Sequence, residues 1–219
     1  MLVITVFRAV CRWCVASTAI RVLAFALGAA ATVGCGGGSS QPTSSAHGLK
    51  GGELPAPLAN KTAPYFALKD ARDGTLTSSQ LHGKPYAVTF LYTQCPDVCP
   101  LIAQELRAAL DQLGPQAKSV AVVAVSVDPR GDTRNRVEHW LKRNREPANF
   151  HYLIGTRKQL QSLWKAYYVG PQIEGKRGSS THTANIWLVD RLGRWRAKFS
   201  AGVPVDPLDI SHDFRALLS

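Results

Sequence analysis

The sequence predicts an α/β domain, a mixed central sheet flanked by helices and opened by an amino-terminal β-hairpin. Short apolar runs rich in valine and aromatic residues alternate with longer segments whose apolar positions recur at helical spacing. Glycine and proline punctuate the boundaries, and the last two strand-like runs stand close together before a final helix.

The elements follow in order. Tyr65-Phe-Ala-Leu68, the turn Asp70 to Gly74 and Thr75-Leu-Thr77 read as the hairpin. After Gly83-Lys-Pro85, Tyr86 to Tyr92 reads as a buried strand by its aromatic and β-branched content. A helix is expected from Pro100 to Leu113, with Leu101, Ile102, Leu106, Ala109 and Leu113 apolar, and Gly114-Pro115 stops it. Ser119 to Val127 is so continuously apolar that it reads as a central strand covered on both faces. Thr133 to Arg143 gives a helix with Val137, Trp140 and Leu141 inward and Asp132 or Thr133 available as its cap. A short strand, Tyr152 to Ile154, and a helix, Thr156 to Tyr167, come next. A polar loop from Gly170 to Thr181 leads to a strand at Ala184 to Val189, a turn through Gly193, a strand at Trp195 to Phe199 and a helix at Pro207 to Leu218. After the hairpin, the order βα βα βα ββα is the layout of a thioredoxin-like fold. Open sheets of this kind place their chemistry at the carboxyl ends of the strands.

The folded domain is expected over residues 55–219. Residues 1–34 have the anatomy of an export signal: Arg8, Arg12 and Arg21, then the apolar run Val22-Leu-Ala-Phe-Ala-Leu before small residues. Thr32-Val-Gly-Cys35 resembles a lipobox, which would make Cys35 a lipidated first residue; an uncleaved single-span anchor and simple secretion are the alternatives. Each puts the rest of the chain outside the cytoplasm, and the first two leave it membrane-anchored, facing the periplasm or extracytoplasmic space. Residues 35–54, rich in glycine and serine, read as a flexible tether. Cys11-Arg-Trp-Cys14 has redox spacing, but it lies inside the export segment and carries no expected chemistry.

The chain has 26 basic and 15 acidic side chains. Three of the bases precede Cys35, and the others are scattered among aromatic and apolar residues, as from Arg191 to Lys198. Such scatter argues against nucleic acid and for an anionic membrane surface or an acidic partner protein.

The folded part keeps two cysteines, in the octet Thr93-Gln-Cys-Pro-Asp-Val-Cys-Pro100 at the end of the first core strand. Pro100 should not continue a regular turn, so Cys99 is expected just before a helix that opens at Pro100. A helix amino end favours thiolate, so at least one sulfur should be acidic and reactive. Structural zinc would need two further ligands and usually a repeated Cys-x2-Cys, and no second pair exists in this part of the chain. A redox dithiol remains open, although such proteins normally place two residues between the cysteines. A copper site also remains open: two thiolates and an imidazole make a soft, low-coordinate set. The sole methionine is Met1, so the third ligand falls to a histidine. His47, His82, His139, His151 and His212 read as solvated or capping residues. His182 directly precedes the strand that lies beside the cysteine-bearing strand in a thioredoxin-like sheet.

Tyr92 to Pro100, Ser126-Val-Asp128-Pro-Arg-Gly-Asp132-Thr133 and His182-Thr-Ala-Asn-Ile-Trp-Leu-Val-Asp190 resemble, in order, the three signature segments of the SCO/SenC family. Ala63-Pro-Tyr-Phe-Ala-Leu and Leu81-His-Gly-Lys-Pro resemble that family as well, so the likeness runs from about Pro64 to Leu217. The resemblance implies a thioredoxin-like, membrane-tethered copper metallochaperone that helps assemble the CuA centre of cytochrome c oxidase, with subunit II as partner. It implies Cys95, Cys99 and His182 as copper ligands and maps the second segment's aspartates onto Asp128 and Asp132. Asp132 reads locally as a helix cap, and Asp128 as a loop acid or a group supporting the ligands. The alternative function is a thiol-disulfide reductase, with Cys95 and Cys99 catalytic and the CuA cysteines or another exported protein as target.

Overall fold

The computed structural model describes residues 48–170, 185–200 and 204–219. Its core is a seven-stranded mixed sheet with strand order β2-β1-β5-β4-β3-β6-β7. The hairpin is β1 (Ala67–Asp70) and β2 (Thr75–Thr77), turned at Gly74, whose φ of 63° suits a residue without a side chain. The central strands β3 (Tyr86–Leu91) and β4 (Ala121–Ser126) run parallel and are buried at every position, as their unbroken apolar content dictates. β5 (Phe150–Ile154) continues the parallel set beside β4, while β1 pairs antiparallel with its far edge. β6 (Asn185–Val189) lies antiparallel to β3, with Val88 opposite Trp187, and β7 (Trp195–Ser200) closes that side.

Four helices complete the layers: α1 (Val98–Leu113), α2 (Arg134–Arg143), α3 (Arg157–Ala166) and α4 (Pro207–Leu218). α1 buries Ile102, Leu106, Ala109, Leu110 and Leu113, and each large aliphatic side chain so buried contributes about 1.5–3 kcal/mol. α3 is opened by a reciprocal cap between Thr156 and Gln159. Among the described residues, no helix is long and apolar enough to cross a membrane.

The structure corrects three local expectations. α1 begins at Val98, so Cys99 and Pro100 lie inside its first turn; proline is tolerated there because the N–H it lacks has no intrahelical acceptor. Thr133, not Asp132, caps α2, its hydroxyl accepting from the Arg136 N–H. β5 starts two residues early, at Phe150, because the Asn149 side-chain amide donates to the carbonyls of Ala117 and Val120 and fixes the strand's approach.

Ordered contacts also begin before residue 55. The N–H groups of Lys50 and Gly51 donate to the Asp213 carboxylate of α4 at 2.7 and 2.8 Å, Gly52 bridges to Lys198 of β7, and Leu54 is buried.

Candidate metal centre

The octet occupies the link between β3 and α1, at the carboxyl edge of the sheet. The chain leaves β3 through Tyr92, whose carbonyl accepts from the Cys95 N–H at 3.2 Å. Asp97 caps α1 through its own carboxylate, 2.6 Å from the Val98 nitrogen. Cys99 is therefore the second helical residue, and its otherwise unpaired N–H donates to Cys95 Sγ at 3.3 Å. Both cysteines are free and buried, Cys95 with 5% of its surface exposed and Cys99 with none.

The two sulfurs differ electrostatically. Hydrogen bonding from the Cys99 thiol, and then from the backbone N–H groups of Cys99 and Asp97, outweighs burial and holds the Cys95 pKa down at about 6. Cys99 is pushed far upward by the same hydrogen bond to Cys95 and by burial. At neutral pH Cys95 is thus mainly thiolate and Cys99 a thiol. When protonated, Cys95 has Asp97 Oδ1 as acceptor at 3.7 Å.

A buried hub holds this turn against the sheet. Asp132 accepts from the Thr93 N–H and hydroxyl, both at 2.8 Å, from Ser126 Oγ at 2.6 Å and from the Tyr152 hydroxyl at 3.0 Å. It joins the end of β4 and the middle of β5 to Thr93, which follows β3 and lies two residues before Cys95. Burial pushes its pKa up to about 6 against the pull of these donors. Local sequence hides that role, because an aspartate before a helix reads as a cap. The available signal was that Thr133 could cap equally well, leaving Asp132 free to turn inward.

Asp128, expected as a loop acid or ligand support, bonds within its own turn. Its Oδ1 accepts from the Gly131 N–H at 2.9 Å, and its carbonyl accepts from the Asp132 N–H at 2.9 Å. A side chain at position 131 would start 2.0 Å from Asp128 Oδ2 and 3.1 Å from the Gln94 amide nitrogen, so glycine permits this close approach.

The structure brings Cys95 and Cys99 together. His182 and Cys35 lie outside the described residues. Of the other histidines, His151 pairs with Asp70 at 2.7 Å and His212 with Asp213 at 3.0 Å, while His82 and His139 are exposed. Among the described residues, no group of three or more His, Cys, Asp or Glu side chains is placed to hold a metal ion. The thiol pair itself suits a soft cation, since it offers two sulfurs in contact, one already deprotonated, sheltered from water.

A thioredoxin-like sheet whose central strand runs into a buried Cys-x3-Cys pair at a helix amino terminus defines a dithiol protein with the donors for a soft metal. Residues 55–218 match the family model SCO1/SenC, and the chain belongs to that family. A Stutzerimonas stutzeri protein described as a candidate copper-binding protein is 30% identical over 153 residues, covering 68% of this chain and 74% of the relative. The structure of Bradyrhizobium japonicum ScoI with copper bound is 30% identical with a TM-score of 0.62, over 72% of this chain and 100% of that one. BsSco, a member of the Sco family of cytochrome c oxidase assembly proteins in which a disulfide switch was identified, shares the fold at 18% identity and a TM-score of 0.63, over 76% of this chain and 99% of its own.

Proposed function

We propose that the chain is a membrane-tethered copper metallochaperone, with Cys95, Cys99 and His182 as ligands, that helps assemble the CuA centre of cytochrome c oxidase subunit II. Residues 1–34 serve export, the residues from Cys35 up to the ordered contacts at Lys50 tether the domain from a lipidated Cys35 or an uncleaved anchor, and the folded part that follows carries the cargo outside the cytoplasm. The observation that carries the reading is the buried pair itself, with Cys95 made the more acidic sulfur by hydrogen bonds from the Cys99 thiol and from the backbone N–H groups of Cys99 and Asp97, and Cys99 held beside it. The strand register supports His182 as the third ligand. Val88 stands opposite Trp187, so β6 begins at the edge where β3 leaves for Cys95, and position 182 is three residues before Asn185.

In this reading copper is cargo. The Cys95 thiolate binds first, Cys99 releases its proton on coordination, and cysteines of the acceptor take over the metal by ligand exchange. The test is a copper titration of the reduced domain from Gly48, followed by absorption and metal analysis. The wild type should take one equivalent with a thiolate-to-copper band, and His182→Ala should bind at least about tenfold more weakly, about 1.4 kcal/mol. Wild-type affinity no better than that of Cys95→Ser/Cys99→Ser would sink the reading.

The unequal thiols favour one alternative, a thiol-disulfide reductase. The Cys95 thiolate would attack a target disulfide, forming a mixed disulfide and releasing one target thiolate. Cys99, deprotonated, would then attack Cys95 Sγ and release the second, so that the pair is oxidised by two electrons and the target reduced by two. Under this reading Cys99→Ser traps the mixed disulfide, and His182→Ala leaves turnover intact.

A further inference from the structure

Beside the cysteine-bearing turn lies a groove of about 280 Å³ between Thr93-Gln94 and α2. Arg136, His139 and Arg143, spaced i, i+3 and i+7, project from one face of α2 to line it over Trp140. All three are exposed. Arg136 Nη1 donates to the Gly131 carbonyl at 3.3 Å, which steadies the guanidinium at the groove. Among the described residues, no carboxylate lies within ion-pair distance of Arg136 or Arg143, whereas Arg134 on the same helix is neutralised by Glu138 at 2.7 Å. The charge in the groove therefore has no partner within the described fold, and Gln94, which helps line it, is the residue before Cys95.

We propose that this groove docks an acidic segment of the protein that exchanges with Cys95. The inference rests on the reading above of Cys95 as the exchanging sulfur and adds the chemistry of its partner. Carboxylates near the partner's own thiols would pair with Arg136 and Arg143 and bring those thiols to the turn. Uncompensated charge beside a reacting group acts mainly on the encounter rate and on the choice of partner. An anionic membrane would also be attracted, but a bilayer pressed against this face would cover Cys95. An acidic protein is the occupant compatible with exchange.

The test uses two peptides, Glu-Glu-Cys-Glu-Glu and Lys-Lys-Cys-Lys-Lys, each as its mixed disulfide with thionitrobenzoate, and follows release of the chromophore by the reduced domain from Gly48. Cys95 attacks the peptide sulfur, the peptide becomes disulfide-bonded to Cys95, and thionitrobenzoate leaves with the electron pair. The wild type should prefer the acidic peptide by about tenfold or more at about 50 mM salt and lose most of that preference at about 0.5 M. Arg136→Glu/Arg143→Glu should abolish the preference. Lys84→Glu/Lys118→Glu, with the same net charge but placed ahead of β3 and β4 at the opposite edge of the sheet, should keep it. Equal preference in wild type and the arginine variant would overturn the proposal, as would equal loss in both variants. So would arginine-dependent binding to phosphatidylglycerol vesicles with no discrimination between peptides. If neither peptide reacts, shifts of the α2 backbone amides on adding Glu-Glu-Ser-Glu-Glu decide: selective shifts uphold the docking surface, and none reject it. Because the readout needs only the thiol, a preference that survives a failed copper titration would leave the docking surface standing and remove the chaperone reading.

Discussion

The Asp132 carboxylate takes hydrogen bonds from three side chains and a backbone N–H while almost wholly enclosed, and its stabilising effect depends on pH in an unusual direction. Burial raises its pKa from 3.8 to about 6, so the folded state holds the proton more tightly than the unfolded chain. The stability from this group is complete below about 4 and is lost as pH rises through about 6, a difference of about 3 kcal/mol. Asp132→Asn should carry a fixed offset from its altered hydrogen bonding and lack that slope. Urea unfolding of both proteins from pH 4 to 7 checks this, and parallel curves would refute the assignment. Cysteine spacing and the three signature segments made the thiol pair legible from sequence. The hub was not, because its partners Thr93, Ser126 and Tyr152 come together only once three strands are aligned.

Helix α1 supplies the thiol pair with a polarised end, and its cap works against part of that supply. Asp97 Oδ1 lies 3.7 Å from Cys95 Sγ, where a negative charge disfavours a neighbouring thiolate. Asn caps about as well as Asp but carries no charge. Asp97→Asn should therefore leave α1 intact and move the Cys95 pKa below about 6, read from thiolate absorbance during a pH titration; an unchanged or higher value would contradict the geometry. The helix was legible from its apolar period, Ile102, Leu106, Ala109 and Leu113. Its start was hidden because Pro100 reads as a boundary, although proline in the first turn costs no hydrogen bond. The strands carried a similar mixture. β3 and β4 announced themselves by continuous apolar content, whereas the start of β5 depended on Asn149 reaching two carbonyls far away in sequence.

Across the whole domain, residues 50–54 act as a clip joining α4 to β7, and they lie ahead of the segment that matches the family. Their composition reads as linker, because two glycines and a short polar run give no periodic signal; long-range partners, not local propensity, order them. Asp213 has no exposed surface, and removing the two N–H donors would leave its carboxylate short of partners. The domain from Pro55 should accordingly be less stable than the domain from Gly48 by about 2–4 kcal/mol, from the lost donors and the lost burial of Leu54. Thermal and urea unfolding of the two lengths would show it, and equal stability would mean that the clip is ornamental. The βα alternation was legible at this scale; the sheet order was not, since β1 reaches across to β5 and β6 to β3 through contacts that no local pattern encodes.

The clip also has a mechanical consequence. A pull applied ahead of Lys50 meets the hydrogen bonds to Asp213 and the bridge to Lys198 first, so the load passes into the last helix and the last strand of the fold. The turn that carries the two sulfurs sits on a different strand and is spared the strain, as a crane hook is spared when its chain is shackled to the frame.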